Sequence, residues 1–260
     1  IVSIDNYTSG TKLNHIRSPR VKYIKGNTAN ISKFVKNPNK IKTIFHFGEF
    51  ARIYQSFLKM DQCIESNSIG TNAIFNFCLK HKVKLIYSAT SASLGNKGND
   101  RNLSPYAFTK AKNLELLENL KKWFNFKYEV IYFYNVYGPH QICRGQMSTV
   151  IGIFEDHYKR KEPLPVVLPG TQTRRFTHIS DTVEICYLAW KKNLCRHYSI
   201  ASKKSYSVLE VAKIFKSKIK FLPRRQGERY ASALTKMNLS NKIYKHFGKI
   251  ELKDYIHNLI

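Results

Sequence analysis

No stretch of this 260-residue chain approaches about 18 uninterrupted apolar residues, so no membrane-spanning helix is expected. Its five cysteines are odd in number, scattered and never spaced C-x-x-C. That excludes a disulfide framework or a cysteine zinc site, predicts no bound metal, and suits a reducing, cytoplasmic compartment. Acidic residues are scarce: 17 against 44 Lys and Arg, for a formal net charge of +27. The basic residues are spread along the chain among Asn and Ile, in the manner of an AT-rich coding sequence, without a long basic block or a nucleic-acid-binding module. Neither nucleic acid nor a membrane surface is therefore the expected partner, and the positive field instead favours small phosphorylated ligands. Internal repeats and low-complexity linkers are also lacking.

What is present is a chain 43% hydrophobic, enough for one large domain or one and a half. Apolar runs at Ile1–Ile4, Val21–Ile24 and Ile41–Phe47 read as strands, and Asn67–His81 as a helix with Ile69, Ala73 and Phe77 on its apolar face. Lys84–Thr90 is a buried strand ending in small hydroxyl residues, and Tyr128–Tyr137 another that runs into Gly138-Pro139. Strands alternating with helices predict an α/β fold, a doubly wound parallel sheet over residues 1–145. From 146 to 260 the pattern changes. A helix at Met147–Lys159 leads through Pro163, Pro165 and Pro169 to short strands near Val166–Leu168, Phe176–His178 and His197–Ile200. With helices at Asp181–Lys192 and Ser207–Lys216, this predicts a smaller mixed α/β lobe capping the strand ends.

The sharpest local signal is Ser104-Pro105-Tyr106-Ala107-Phe108-Thr109-Lys110. Residues i and i+4 share a helix face, so the Lys110 ammonium can lie under the Tyr106 phenol. A phenol ordinarily titrates near 10, and a neighbouring cation brings it towards the range of a useful base. Upstream, Thr90 closes the hydroxyl strand, and downstream the second strand ends in Asn135-x-x-Gly138-Pro139. Asp5 ends the first apolar run, where a carboxylate can accept both hydroxyls of an adenosine ribose and repel a 2′-phosphate.

In this order the motifs resemble the extended short-chain dehydrogenase/reductase family, in the nucleotide-sugar epimerase/dehydratase branch typified by UDP-glucose 4-epimerase. The resemblance implies a Rossmann-type sheet, NAD as cofactor, a nucleotide-sugar substrate, a place in carbohydrate metabolism and a cytoplasmic homodimer pairing the Tyr106–Lys110 helix and its neighbour. It makes Thr90, Tyr106 and Lys110 catalytic. Asp5, Asn6, Asn27, Thr28, Phe47, Gly48, Asn67 and Phe133, with Tyr106 and Lys110, would line the cofactor. Thr90, Asn135, Arg174, Arg225 and Glu228 would meet the substrate, the two arginines clamping phosphates.

The sequence also departs from the family. Glu49 and Phe50 stand where small residues usually follow the His46-Phe47-Gly48 segment, lone His46 reads as a packed strand histidine, and Asn27-Thr28 replaces an Asp followed by an apolar residue. Arg175 stands in place of an Asp and adds charge nearby. Ser91 and Ala92 occupy the Asp-Glu positions of the 4,6-dehydratases and cannot serve as their acid/base pair. No G-x-x-G-x-x-G turn occurs, and the resemblance implies that the chain begins inside the second strand, with the first strand missing from the middle of the sheet. The expected activity is 4-epimerisation of a UDP-hexose by transient oxidation at C4. The alternatives are a nucleotide-sugar reductase or decarboxylase on the same scaffold, or a truncated, non-catalytic dinucleotide-fold protein.

Overall fold

A computed structural model describes residues 1–94, 102–227 and 243–260. Strand β1 (Val2–Asp5) pairs in parallel with β2 (Lys22–Lys25), and a short helix α1 (Ile31–Phe34) leads to β3 (Thr43–His46). Helices α2 (Ile53–Leu58) and α3 (Met60–Ile64) continue through a π-helical turn, Glu65–Gly70, into α4 (Thr71–His81). Next come β4 (Lys84–Thr90), α5 (Pro105–Phe124), β5 (Tyr128–Phe133) and β6 (Asn135–Tyr137). The second half contributes α6 (Val150–Lys159), β7 (Leu164–Val167), β8 (Thr173–Arg174), β9 (Phe176–His178), α7 (Ile179–Lys192) and β10 (His197–Ala201). It ends with β11 (Tyr206–Ser207), α8 (Val208–Ile214), β12 (Ile219–Leu222), β13 (Ile243–Phe247) and α9 (Leu252–His257).

Five parallel strands form the central sheet in the order β13-β10-β5-β4-β3. Alternation along the strands decides which layer each side chain joins. Leu85 and Tyr87 of β4 and Val130 and Tyr132 of β5 share a core with Phe75, Phe77, Leu114 and Leu117 of α4 and α5. Ile86 and Ile131, one residue out of phase, pack instead with Ile185 and Ala189 of α7 and with Tyr198 and Ile200 of β10. Helices on both faces account for strands that read as near-continuous apolar runs. A separate core, with Phe154, Leu164, Val166, Phe176, Val211 and Phe215 at its centre, holds the smaller lobe together.

Three expectations are corrected. The division at 145/146 does not separate sheet from lobe, because β10 and β13 return to the central sheet beside β5. Strand β10, expected as a short strand of the smaller lobe, carries His197 and Ser199, yet all five of its residues are buried. The buried Glu129 carboxylate of β5 seats it, accepting from the backbone N–H groups of Cys195 at 3.0 Å and Arg196 at 2.7 Å while pairing with Lys84 at 2.9 Å. Second, the run from Tyr128 to Tyr137 divides: β5 stays in the sheet, whereas β6 leaves to pair with β9. Third, helical structure begins at Met60, well before Asn67. The buried Cys63 and Asn67 lie four residues apart and carry no apolar periodicity to reveal that turn.

The β1–β2 pair forms its own two-stranded sheet, and among the described residues no ladder joins it to β3. Ile4 of β1 packs with Ile44 against the main core, so the attachment is by side chains.

Candidate active site

Helix α5 starts where its sequence says it must. Ser104 is the N-cap, its hydroxyl accepting from Ala107 N at 3.1 Å, and Pro105 takes the first helical position, where no N–H is needed. This places Tyr106 in the first turn, buried beside the C-terminal end of β4 and hydrogen-bonded to the Thr90 hydroxyl. The Tyr106 backbone N–H donates to Ser56 Oγ of α2 at 3.2 Å, fixing the two helices together at this point.

Lys110 lies one turn on, and its ammonium is fully engaged. It pairs with Glu49, donates to Ser88 O at 2.5 Å, lies 3.5 Å from Ser88 Oγ and sits 4.8 Å from the Tyr87 ring centre. The expected activation of Tyr106 by Lys110 is therefore not what this state displays. Burial pushes the phenol up to about 12, the Thr90 hydrogen bond and the Arg52 guanidinium pull it down, and Glu49 and Cys63 add to the rise. Glu49, next to Lys110, cancels the cation on which the activation depends.

The Glu49 carboxylate gathers donors from three elements. Oε1 accepts from Thr71 Oγ1 at 3.0 Å, Tyr87 OH at 3.1 Å and Asn113 Nδ2 at 3.2 Å, while Oε2 faces Lys110. His46 joins through Thr71 at 2.9 Å, and burial lowers its pKa to about 4, so it is neutral. Asn67 holds the neighbouring backbone: Oδ1 accepts from Phe50 N at 2.6 Å, and Nδ2 donates to Phe50 O at 3.1 Å and Thr109 Oγ1 at 3.2 Å. Expected as a cofactor contact, Asn67 spends its amide on hydrogen bonds inside the protein.

The other cofactor-side residues fall into two groups. Thr28 lies against the end of β3: a methyl built on Gly48 would lie 3.4 Å from Thr28 Cγ2. Phe47 and Phe133 meet edge to face at 5.5 Å between ring centres, bridging the ends of β3 and β5. Asn27 caps the following turn, accepting from Ala29 N at 2.9 Å, and donates to Glu65 Oε1 at 3.0 Å. Asp5 and Asn6 are exposed on the separate β1–β2 sheet, where they accept from Tyr7 N at 2.7 Å and Thr8 N at 3.0 Å. The residues present fit the two ends of NAD, with an exposed carboxylate closing β1 and an exposed Gly48 next in sequence to Glu49, the partner of Lys110. For the pyrophosphate between them the chain has no glycine turn.

On the substrate side, Asn135 donates from both N and Nδ2 to Arg175 O, at 3.2 and 3.0 Å, and so helps pair β6 with β9. The Arg174 guanidinium donates to Thr173 O at 2.9 Å. Arg175 does not stand as a loose extra charge; it hooks the carbonyls of Ser202 at 2.8 Å and Lys203 at 2.5 Å. Arg225 lies 5.4 Å from the Tyr54 ring centre on α2, the helix that also touches Tyr106. Glu228 lies outside the described residues. Among the described residues no group of three His, Cys, Asp or Glu is placed to hold a metal ion, and no helix is long and apolar enough to cross a membrane.

Reading the sequence for single residues missed Arg52, Asn113 and the use made of Glu49. Arg52 donates to Met147 O at 2.8 and 2.5 Å and stands near the Tyr106 phenol. The one available signal was a carboxylate in a segment where small residues are the rule.

Comparison with known proteins places this geometry. The model of the NAD dependent epimerase/dehydratase family matches residues 1–201. A Methanocaldococcus jannaschii protein provisionally named a UDP-glucose 4-epimerase is 24% identical over 279 residues, covering 100% of this chain and 89% of that protein. An ADP-L-glycero-D-manno-heptose-6-epimerase from Brachyspira hyodysenteriae is 27% identical over 235 residues, covering 83% and 72%. Among solved structures, a dTDP-glucose 4,6-dehydratase from Streptomyces venezuelae with NAD bound superposes with a TM-score of 0.86 at 17% identity, over 99% of this chain and 85% of that one.

Proposed function

The chain belongs to the NAD dependent epimerase/dehydratase family, and on that premise we propose that it is a nucleotide-sugar 4-epimerase acting on a UDP-hexose. NAD, when bound, supplies the hydride acceptor and donor for C4 of the sugar. The chain's own residues orient the sugar and handle its proton. Tyr106, acting as the phenolate once ligands are bound, takes the proton of the 4-hydroxyl and later returns it, and Thr90, its hydrogen-bond partner, relays it. Lys110, one turn along the same helix, steadies the reacting end of the cofactor once it exchanges one of its present partners, Glu49 or Ser88, for it. Arg225, Arg174 and Asn135 serve the diphosphate, which does not change during the reaction.

The observation that carries this reading is the buried Thr90–Tyr106 pair at the C-terminal end of β4, followed by Ser91 and Ala92. The pair supports proton transfer at one sugar hydroxyl, and the two small residues leave no acid/base couple to expel water from C5 and C6. Exposed apolar side chains on the outer faces of the π turn and α5, Ile69 at 58% and Phe108 at 44%, support a homodimer through these helices.

The test is a panel of UDP-, GDP-, dTDP- and ADP-sugars incubated without external reductant or oxidant and scored for the 4-epimer. A 4-epimer from a UDP-hexose supports the reading. Product that appears only with stoichiometric NADH or NAD, or inversion at C6, refutes it.

A further inference from the structure

Glu49 stands beside the reacting Tyr106 in a segment where the family uses small residues, and its carboxylate is 1% exposed. We propose that Glu49 is a positioning residue, which fixes the Lys110 ammonium and cancels its charge at Tyr106 so that the phenol of the ligand-free protein keeps its proton. The proposal rests on reading Tyr106 as the proton-transfer group.

Three features of the geometry support it. First, the pair is sealed: the Lys110 side chain is 4% exposed, so water does not screen the interaction. Second, Glu49 is held independently of Lys110, because Thr71, Tyr87 and Asn113 all donate to its other oxygen. The carboxylate is thus an anchored anion to which the flexible lysine is brought. Third, the lysine's donors are taken up by Glu49, Ser88 O and Ser88 Oγ.

The charges around Tyr106 can be enumerated from every element packed on it. Thr90 of β4 is neutral. Burial raises the Cys63 thiol of α3 to about 11 and lowers His46 of β3 to about 4, so both are uncharged at neutral pH. Arg52, just before α2, is cationic and lies over the Met147 carbonyl. Tyr87 of β4, which donates to Glu49, is held neutral by burial, and Lys110 on α5 and Glu49 after β3 carry the remaining charges. With Glu49 present the local charge among the described residues is +1, and without it +2. An uncompensated cation within about 4–6 Å lowers an acid's pKa by roughly 1–3 units. Removing the Glu49 charge should therefore bring the Tyr106 phenol from about 12 to between roughly 9 and 11.

The experiment is carbon-13 NMR of the ligand-free protein labelled at tyrosine Cζ, with the Tyr106 resonance assigned by its loss in Tyr106→Phe. In the wild-type chain that resonance should keep its phenol position to pH about 11. In Glu49→Gln it should move to the phenolate position with a midpoint at least about one unit lower. In Glu49→Gln combined with Lys110→Met the phenol position should return, because the unbalanced cation is gone. Should the Gln chain not fold, Glu49→Ala, which presents no amide to the ammonium, meets the same criterion. A Tyr106 midpoint unmoved by loss of the carboxylate overturns the proposal, as does a shift that persists when Lys110 is also replaced. The readout needs no turnover, so a chain inactive on every sugar nucleotide yet showing the shift refutes the enzymatic reading alone. Where turnover is measured, the acid limb of kcat/KM, which reports the substrate-free protein, should move to lower pH by the same amount.

Discussion

Replacing Asn67 tests how the segment carrying Gly48 and Glu49 is held. The Asn67 carboxamide is fully buried and exchanges two hydrogen bonds with the backbone of one residue, from Phe50 N at 2.6 Å and to Phe50 O at 3.1 Å. Asn67→Ala orphans both groups. Each unsatisfied buried polar group costs about 1–3 kcal/mol, so a loss of about 2–6 kcal/mol in unfolding free energy is expected. Asn67→Asp is the sharper probe. One carboxyl oxygen can still accept from the Phe50 N–H, but the other faces a carbonyl and must carry a proton to make a bond there. The carboxyl pKa is then higher in the folded chain than its unfolded value of about 3.9. A raised folded pKa gives stability that is complete below the unfolded value and is lost as pH rises towards the folded one. Relative to the wild-type chain, the Asp variant should lose about 1.4 kcal/mol per pH unit above pH about 4 until that folded value is passed. Urea unfolding of both chains at pH about 4, 6 and 7.5 reads the difference. A gap that does not change with pH, or an Ala variant within about 1 kcal/mol of wild type, would refute the reasoning.

Tyr106→Phe keeps the buried ring and removes only the hydroxyl, so turnover should fall about 10²–10⁴-fold with sugar-nucleotide affinity nearly unchanged, measured by steady-state kinetics and calorimetry. Arg225→Ala should raise KM for the sugar nucleotide and leave kcat close to wild type, because the diphosphate contact is alike in ground and transition states; a fall in kcat alone would contradict that assignment. Burial lowers both His46 and His197 from 6.5 to about 4, so each is neutral when folded and takes a proton when unfolded as pH falls. Stability should therefore decline from pH about 6.5 towards 4 by about 1.4 kcal/mol per unit for each, and His197→Gln should remove one share of that slope in denaturant titrations.

What the sequence disclosed was local. The Ser104 cap, the Pro105 start and the four-residue step from Tyr106 to Lys110 lie within one and a half helical turns, and the hydroxyl end of β4 is continuous in the chain. The doubly wound sheet was legible for the same reason, since β4 and β5 announce themselves as apolar runs. What stayed hidden depends on partners far apart in sequence. Glu49 meets Lys110 61 residues away, and Asn67 meets Phe50 17 residues away. Glu129 draws β10 into the sheet from 67 residues away. A polar residue's burial is set by what folds over it, which its neighbours in sequence do not reveal. Tyr106 shows the consequence most directly: the motif predicts a lowered phenol, and burial, helped by a carboxylate from another strand end, holds it high instead.

The side-chain attachment of β1–β2 bears on how the molecule opens. A hydrogen-bonded ladder couples neighbouring strands so that they exchange amide protons together, whereas packed side chains let two blocks part separately. The amides of β1 and β2 are therefore expected to exchange separately from those of the five-stranded sheet in native-state hydrogen exchange. Asp5 and Asn6 ride on the first unit, and Thr90, Tyr106 and Lys110 on or against the second. A ligand spanning from one to the other would act as a strut, and part of its binding free energy would be stored as slower opening of backbone it never touches.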